Sequence, residues 1–296
     1  MVPDSHAAAR RAVMLYLLLT FAISTGYYLL IIRAGSLGAY GGAFTYGLMW
    51  SPAAGAFISS ALLRRPIRAL GWKWPGWRLM LGSYIVPLLY ATLAYAIIWG
   101  AGWGGFPNME LLDRIRTAFH WQAPDWLMIT LYFCFDASIG LLFSMASATG
   151  EEIGWRGFLA PAMYTLTGGC YTKTSLITGL IWALWHYPIL LFADYNNGTP
   201  AWYGLGCFTV LVVSIAFIMT WFRLKSGSLW TAAMLHASHN LFIQDFFTRL
   251  TRSNAHTKYF IDEFGIVLPL FCAGFAFYYW RRRHELPPLP PNPLPS

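Results

Sequence analysis

A chain of 296 residues that is 57% hydrophobic, 18% aromatic and only 11% charged, with a mean hydropathy of +0.49, does not suit a water-soluble domain. Its net charge of +8 comes without a basic stripe of nucleic-acid-binding spacing, which argues against DNA or RNA as a partner. The solvent implied for most of the chain is a lipid bilayer.

Eight apolar runs follow in chain order, at roughly 12–32, 43–63, 79–100, 126–148, 174–193, 203–222, 229–248 and 262–280. Each is near the ~20 residues a helix needs to cross a bilayer, and Trp and Tyr cluster near several ends. The pattern predicts an all-α, polytopic membrane protein of about eight transmembrane helices, the fourth continuing as a polar-decorated helix to about residue 165. The first run follows Arg10 and Arg11, but its apolar core is too long for a signal peptide and no A-x-A pattern follows it. Segment 64–78, with three Trp and several basic residues, reads as interfacial, and 101–125 as a loop or short helix. The expected organisation is N-terminal helices and loops over 1–125, a core over 126–250, a last helix over 251–282 and a disordered proline-rich tail over 283–296.

Charge sets the expected orientation. With eight spans, one side receives both termini and Arg10, Arg11, Arg64, Arg65, Arg68, Lys73, Arg78, Lys173, Arg223, Lys225 and Arg281, Arg282 and Arg283. The other receives Arg33, Arg114, Arg116, Arg249, Arg252 and Lys258. Thirteen against six predicts cytoplasmic termini, and the net positive charge then serves topology and contact with anionic lipid. The four cysteines, at 134, 170, 207 and 272, show no metal or disulfide spacing, and Asn197 opens a sequon that Pro200 disfavours. No internal repeat of the kind that builds many transporters is present.

Several polar residues fall inside spans: Glu151, Glu152 and Arg156 in "TGEEIGWRGFL", His186 in "LIWALWHYP", and His236, His239 and Asn240 in "AMLHASHN". Ionisable groups in lipid cost about 2.5–3.5 kcal/mol each on insertion scales, so they must face one another or water. At about 100° per residue, Glu152 and Arg156 lie on one helical face, and Glu151 is turned about 140° from Arg156. The arrangement predicts one glutamate held by arginine and a neighbour left to face a cavity. His236 and Asn240 project together, and Trp182 walls the face that carries His186. The groups are expected to meet in the half of the bilayer nearer the termini. Asp136 and Asp245, nearer the far ends of their helices, are expected to be solvated or capping.

"EEIGWR" fits E-E-x-x-x-R, "WALWH" fits a second motif ending in His, and "HASHN" fits H-x-x-x-N. In that order and spacing, each on a predicted span, they resemble the signature of the CPBP family (Abi, or CAAX-processing and bacteriocin-processing) of intramembrane proteases, to which the type II CAAX prenyl endopeptidase belongs. The match covers about residues 145–245. Trp182 departs from the family pattern, where phenylalanine is usual. The resemblance implies an endopeptidase in which Glu151 is the general base, His186 helps hold the water, and His236 and Asn240 stabilise the oxyanion. Glu152 and Arg156 would be supporting groups, with Trp182 along the substrate groove; His239, adjacent to the motif but outside it, is read as a core residue or one at the groove's rim. It also implies a membrane-associated peptide or protein substrate, of which a prenylated CAAX peptide is one type.

Other classes fit less well. G-x-S-G, Y-D with G-x-G-D and H-E-x-x-H are all absent from the sequence. A non-catalytic immunity or scaffold protein of the same fold is the alternative, and so is a zinc-dependent protease. Asn is a poor zinc ligand and no H-x-x-x-H pair is present, so the expected cofactor is none. Sixteen Arg against four Lys lean towards a prokaryotic cytoplasmic membrane.

Overall fold

The computed structural model describes residues 3–120, 122–196 and 198–288. The chain folds as helices: α1 (Pro3–Ala34), α2 (Ala43–Leu62), α3 (Trp77–Gly100), α4 (Met109–Phe119), α5 (Asp125–Leu166), α6 (Tyr171–Phe192), α7 (Ala201–Ser226), α8 (230–250) and α9 (Val267–Arg281). Among the described residues there is no strand, only an isolated bridge between Gly105 and Arg252. Helices occupy all eight predicted segments, and α4 fills the second long connection. Five of them, α1, α3, α5, α6 and α7, are long and apolar enough to cross a membrane. The chain is a polytopic helical membrane protein.

Helix α5 runs for 42 residues, as the polar-decorated extension of the fourth span predicted. At 1.5 Å per residue it is ~63 Å long, about twice the hydrocarbon thickness. It is not regular throughout. Wider π-helical turns occupy Asp136–Gly140 and Ile153–Leu159, and a third, Leu241–Phe247, interrupts α8. Such turns re-aim side chains and concentrate at functional sites.

Small residues let the site helices approach closely. A Cβ on Gly154 would lie 2.4 Å from the Tyr16 hydroxyl and 2.5 Å from Pro52 Cβ, and one on Gly150 would lie 2.9 Å from the Met49 carbonyl. Gly150 and Gly154 thus form a G-x-x-x-G face that seats α5 against α1 and α2, because backbones pack in lipid only where side chains are small. Glu151 and Glu152, between the two glycines, point away from that face and both are buried. Gly55 likewise sits against Thr20, and Ser24 and Ser51 share a 2.6 Å hydrogen bond between α1 and α2.

The 64–78 segment closes the bundle at the termini side. Gly71, at φ +92°, accepts a bond from Leu229 N at 2.8 Å, and a Cβ there would lie 2.7 Å from Arg223 Nη2. The Trp72 carbonyl accepts the Trp230 indole at 2.9 Å, while Trp74 and Trp77 stay exposed, as an interfacial segment requires. Residues 283–285 of the tail expected to be disordered instead belong to a 3-10 turn, Arg282–Glu285, in which Arg282 pairs with Glu285 at 2.6 Å. Residues 289–296 and the sequon's Asn197 lie outside the described residues.

Candidate functional site

Glu151 and Glu152 end the regular part of α5, directly before its second π-helical turn; Asn240 ends the regular part of α8, directly before another. Both polar motifs therefore stand where the helix changes pitch. Helix α6 supplies Trp182 and His186 between them. A cavity of about 230 Å³ is lined by Glu151, Trp182, His186, His236 and Asn240, and α7 walls it with apolar side chains from Phe208 to Met219. Glu152 and Arg156 are fully buried and lie outside that lining.

The two glutamates have different partners, as the helical offset predicted. Glu152 Oε1 accepts Arg156 Nη1 at 3.0 Å and His236 Nδ1 at 2.9 Å. One carboxylate oxygen therefore ties α5 to itself and to α8. Among the described residues, Glu151 has no cation in contact. Its Oε2 accepts two indole N–H groups, Trp182 Nε1 at 2.9 Å and Trp155 Nε1 at 3.3 Å. Oε1 has no hydrogen-bond partner among the described residues.

Trp182 does more than wall the groove. Its ring lies 4.2 Å beneath the Arg156 guanidinium carbon, and it meets the His186 and His236 rings edge-on at 5.9 and 5.2 Å. A phenylalanine at this position would keep the ring contacts and lose the N–H that fixes Glu151.

Hydrogen bonding fixes the ring nitrogens. His186 Nδ1–H donates to the Trp182 carbonyl at 2.9 Å, so Nε2 is the nitrogen left to accept a hydrogen bond. His236 donates Nδ1–H to Glu152 and keeps Nε2 for the cavity side. His239 lines the same cavity but has both nitrogens engaged: the Tyr90 hydroxyl donates to Nδ1 at 2.7 Å, and Nε2–H donates to Glu263 at 3.0 Å. His239 is a structural link. Asn240 makes no hydrogen bond among the described residues and faces the cavity with its amide free.

The expected depth needs correction. His186 lies 15 residues from the start of α6 and six from its end, or ~22 Å from the termini side and ~9 Å from the far side. Measured along α6, the site therefore lies past the middle, away from the termini. On α8, His236 lies six residues, or ~9 Å, from Trp230, and the Gly71–Leu229 bond ties the start of that helix to the 64–78 segment. Buried Arg223 donates Nε–H to the Arg156 carbonyl at 2.8 Å and helps seal the termini side beneath the cavity. At the other end the cavity lining includes Leu37, Tyr195 and Glu263.

Asp136 also differs from expectation. It is not solvated: it is 7% exposed, inside the first π-helical turn of α5. Asp245 is half-buried and pairs with Arg249 at 2.8 Å. Sequence reading missed Glu263, which holds His239, Tyr195 at 2.8 Å and Gln244 at 3.1 Å. An acidic residue at the margin of an apolar run was the available signal. It also missed Gly150 and Gly154, although their spacing around the glutamates was readable.

With this geometry in view, the comparisons become specific. Residues 133–242 match the family model described as type II CAAX prenyl endopeptidase Rce1-like. Over 111 residues, 34% of this chain and 38% of the relative, the sequence is 32% identical to the CAAX prenyl protease 2 of Methanococcus maripaludis. Over 149 residues, 45% of each, it is 29% identical to the uncharacterized protein YyaK of Bacillus subtilis. The chain spans less than half the length of these curated relatives. The resemblance read from the three motifs is supported: residues 133–242 match the Rce1-like model, and every motif residue lies within that stretch.

Removing the Arg156 charge tests the support directly. Arg156→Ala leaves Glu152 buried with only His236, a loss of roughly 3–5 kcal/mol. The expected result is a clearly lower melting temperature in detergent, followed by tryptophan fluorescence; an unchanged melt would show that His236 alone balances Glu152.

Proposed function

We propose that this chain is an intramembrane endopeptidase that hydrolyses a peptide bond of a membrane-associated peptide or protein. The observation that carries the reading is the cavity that collects Glu151, His186 Nε2, His236 Nε2 and the Asn240 amide, with an apolar wall on one side. Peptide hydrolysis needs an activated water and a stabilised oxyanion, and these are the groups for both.

In this mechanism Glu151 takes a proton from water while His186 Nε2 accepts the second O–H and aims the oxygen. The water oxygen bonds to the carbonyl carbon. Asn240 Nδ2–H and a protonated His236, through Nε2–H, receive the negative charge on the carbonyl oxygen. Glu152 balances the imidazolium on its Nδ1 side. The C–N bond then breaks, Glu151 returns its proton to the departing amine, and the acid product leaves. Arg156 and protonated His236 offset the two glutamates, so the site is neutral as a whole. Trp182 and Trp155 hold Glu151 in place as positioning residues.

The family is associated with both glutamate and metal mechanisms, and the donor geometry favours the former. Glu151 is engaged by indoles and Glu152 by cations; among the described residues, no group of three or more His, Cys, Asp or Glu side chains is arranged to hold a metal ion. The apolar α7 wall suits an extended apolar peptide stretch, such as the C-terminus of a CAAX-type substrate. We further propose a prokaryotic cytoplasmic membrane with both termini cytoplasmic, on the basic-residue split, which places the open end of the cavity towards the outer face.

Three measurements test these readings. Glu151→Gln should lower turnover of a membrane-presented peptide by about 10²–10⁴-fold with an unchanged melt. Asn240→Ala should cost about 10²–10³-fold, and Trp182→Phe about 10–100-fold by loss of an orienting bond. A Glu151→Gln enzyme of near wild-type turnover, beside an inactive but stable Glu152→Gln, would reverse base and support. Activity should also survive metal removal verified by elemental analysis; complete loss restored by stoichiometric Zn²⁺ and not Mg²⁺ would reject the glutamate mechanism. Reporter fusions at both ends should report the cytoplasm, and an external terminus would overturn the orientation.

A further inference from the structure

Beside the cavity lies a second void of about 340 Å³, whose lining shares Leu37, Thr45, Met49, Asn240 and Gln244 with it. The two adjoin, and Asn240 lines both. The second part is acidic: Asp136 and Asp245 line it, and no lysine, arginine or histidine does. Asp245 already has a partner in Arg249. Asp136 does not. Its side chain is more than nine-tenths buried, and its Oδ2 has no hydrogen-bond partner among the described residues.

The nearby donors are committed elsewhere. The Tyr132 hydroxyl donates to the Asp245 carbonyl, Ser144 Oγ to the Ala237 carbonyl at 2.9 Å, and Ser147 Oγ to the Ser144 carbonyl at 3.0 Å. Asp136 Oδ1 lies 3.3 Å from the Cβ position of Gly140, which is itself 3.0 Å from Leu241, the residue after Asn240. The carboxylate therefore stands beside the end of the cavity where the oxyanion would form. A buried carboxylate within a membrane helix, with one oxygen unpartnered and no cation in contact among the described residues, is costly and favours a further partner.

We infer that this void is a substrate subsite in which Asp136 receives a cationic side chain, Lys or Arg, from a residue flanking the scissile bond. The π-helical turn Asp136–Gly140 places that carboxylate over the void. The inference rests on the protease reading and adds to it a preference for basic residues next to the cut.

The test uses the full chain in proteoliposomes and membrane-anchored peptides carrying Lys, or uncharged norleucine, at each of the positions within three residues of the cut. At one position wild type should favour Lys in kcat/KM by on the order of 10–100-fold, as expected for a desolvated charge pair. Asp136→Asn should collapse that ratio towards one, and Asp136→Glu should restore part of it; melting temperatures confirm folding. A wild-type ratio near one at every position, or a ratio that Asp136→Asn leaves intact, overturns the subsite. If wild type cleaves no peptide, binding to Glu151→Gln separates the two ideas. Lys-selective binding lost in Glu151→Gln/Asp136→Asn would keep the subsite and reject hydrolysis, whereas unselective binding would reject both.

Discussion

Burying Glu152 and Arg156 together in a helix bundle is the constraint on which the site depends. Each charge alone would cost about 2.5–3.5 kcal/mol at a membrane helix centre, and more where no water reaches it. The pair is balanced through one carboxylate oxygen, which takes both the guanidinium and His236 Nδ1. That single atom joins the two stretches of chain that carry the glutamates and the H-x-x-x-N motif. It fixes the rotation of α8, and with it where Asn240 points. The remaining face of the guanidinium is covered by the Trp182 ring, so α6 is held in the same register. Three helices are located by one buried cation.

The backbone makes that burial feasible. Gly150 and Gly154 flank the glutamates and bring α5 so close to α1 and α2 that a methyl group would collide at either position. Glu152 is fully buried. Glu151, one residue earlier, is rotated towards the cavity and kept from the arginine, so it meets neutral indole donors instead of a cation. Adjacent residues of one type thus take different chemical parts because of their angular offset.

Much of this was legible in the sequence because membrane helices obey strict rules. Length and apolarity mark the helices, and charged residues in apolar runs must converge, so Glu151, His186, His236 and Asn240 could be expected in one cavity before any geometry was known. The separation of Glu151 from Glu152 followed from helical rotation alone. What was not legible depended on departures from regularity. The π-helical turns leave no periodic signature, and they decide where Asp136 stands. Depth along α6 was misjudged because the run was counted from residue 174, whereas the helix runs Tyr171–Phe192 and sets His186 six residues from its far end. Glu263 was hidden because it lies on a connection between helices, and only the fold brings it to His239.

His239 shows why proximity alone does not assign chemistry. It is one turn from Leu235 and three residues from His236, and it lines the same cavity. Yet both of its nitrogens are taken, by Tyr90 on α3 and by Glu263 on the α8–α9 connection. Its work is to hold that connection over the far end of the cavity, where Tyr195 and Gln244 also bind Glu263. The site is therefore supported from both ends by a carboxylate that gathers donors: Glu152 beneath it and Glu263 at its mouth. Between them, Glu151 and Asn240 are left with unengaged polar atoms facing the space a peptide would occupy. Support consumes hydrogen-bonding capacity, and the groups that keep theirs are the ones free to meet substrate.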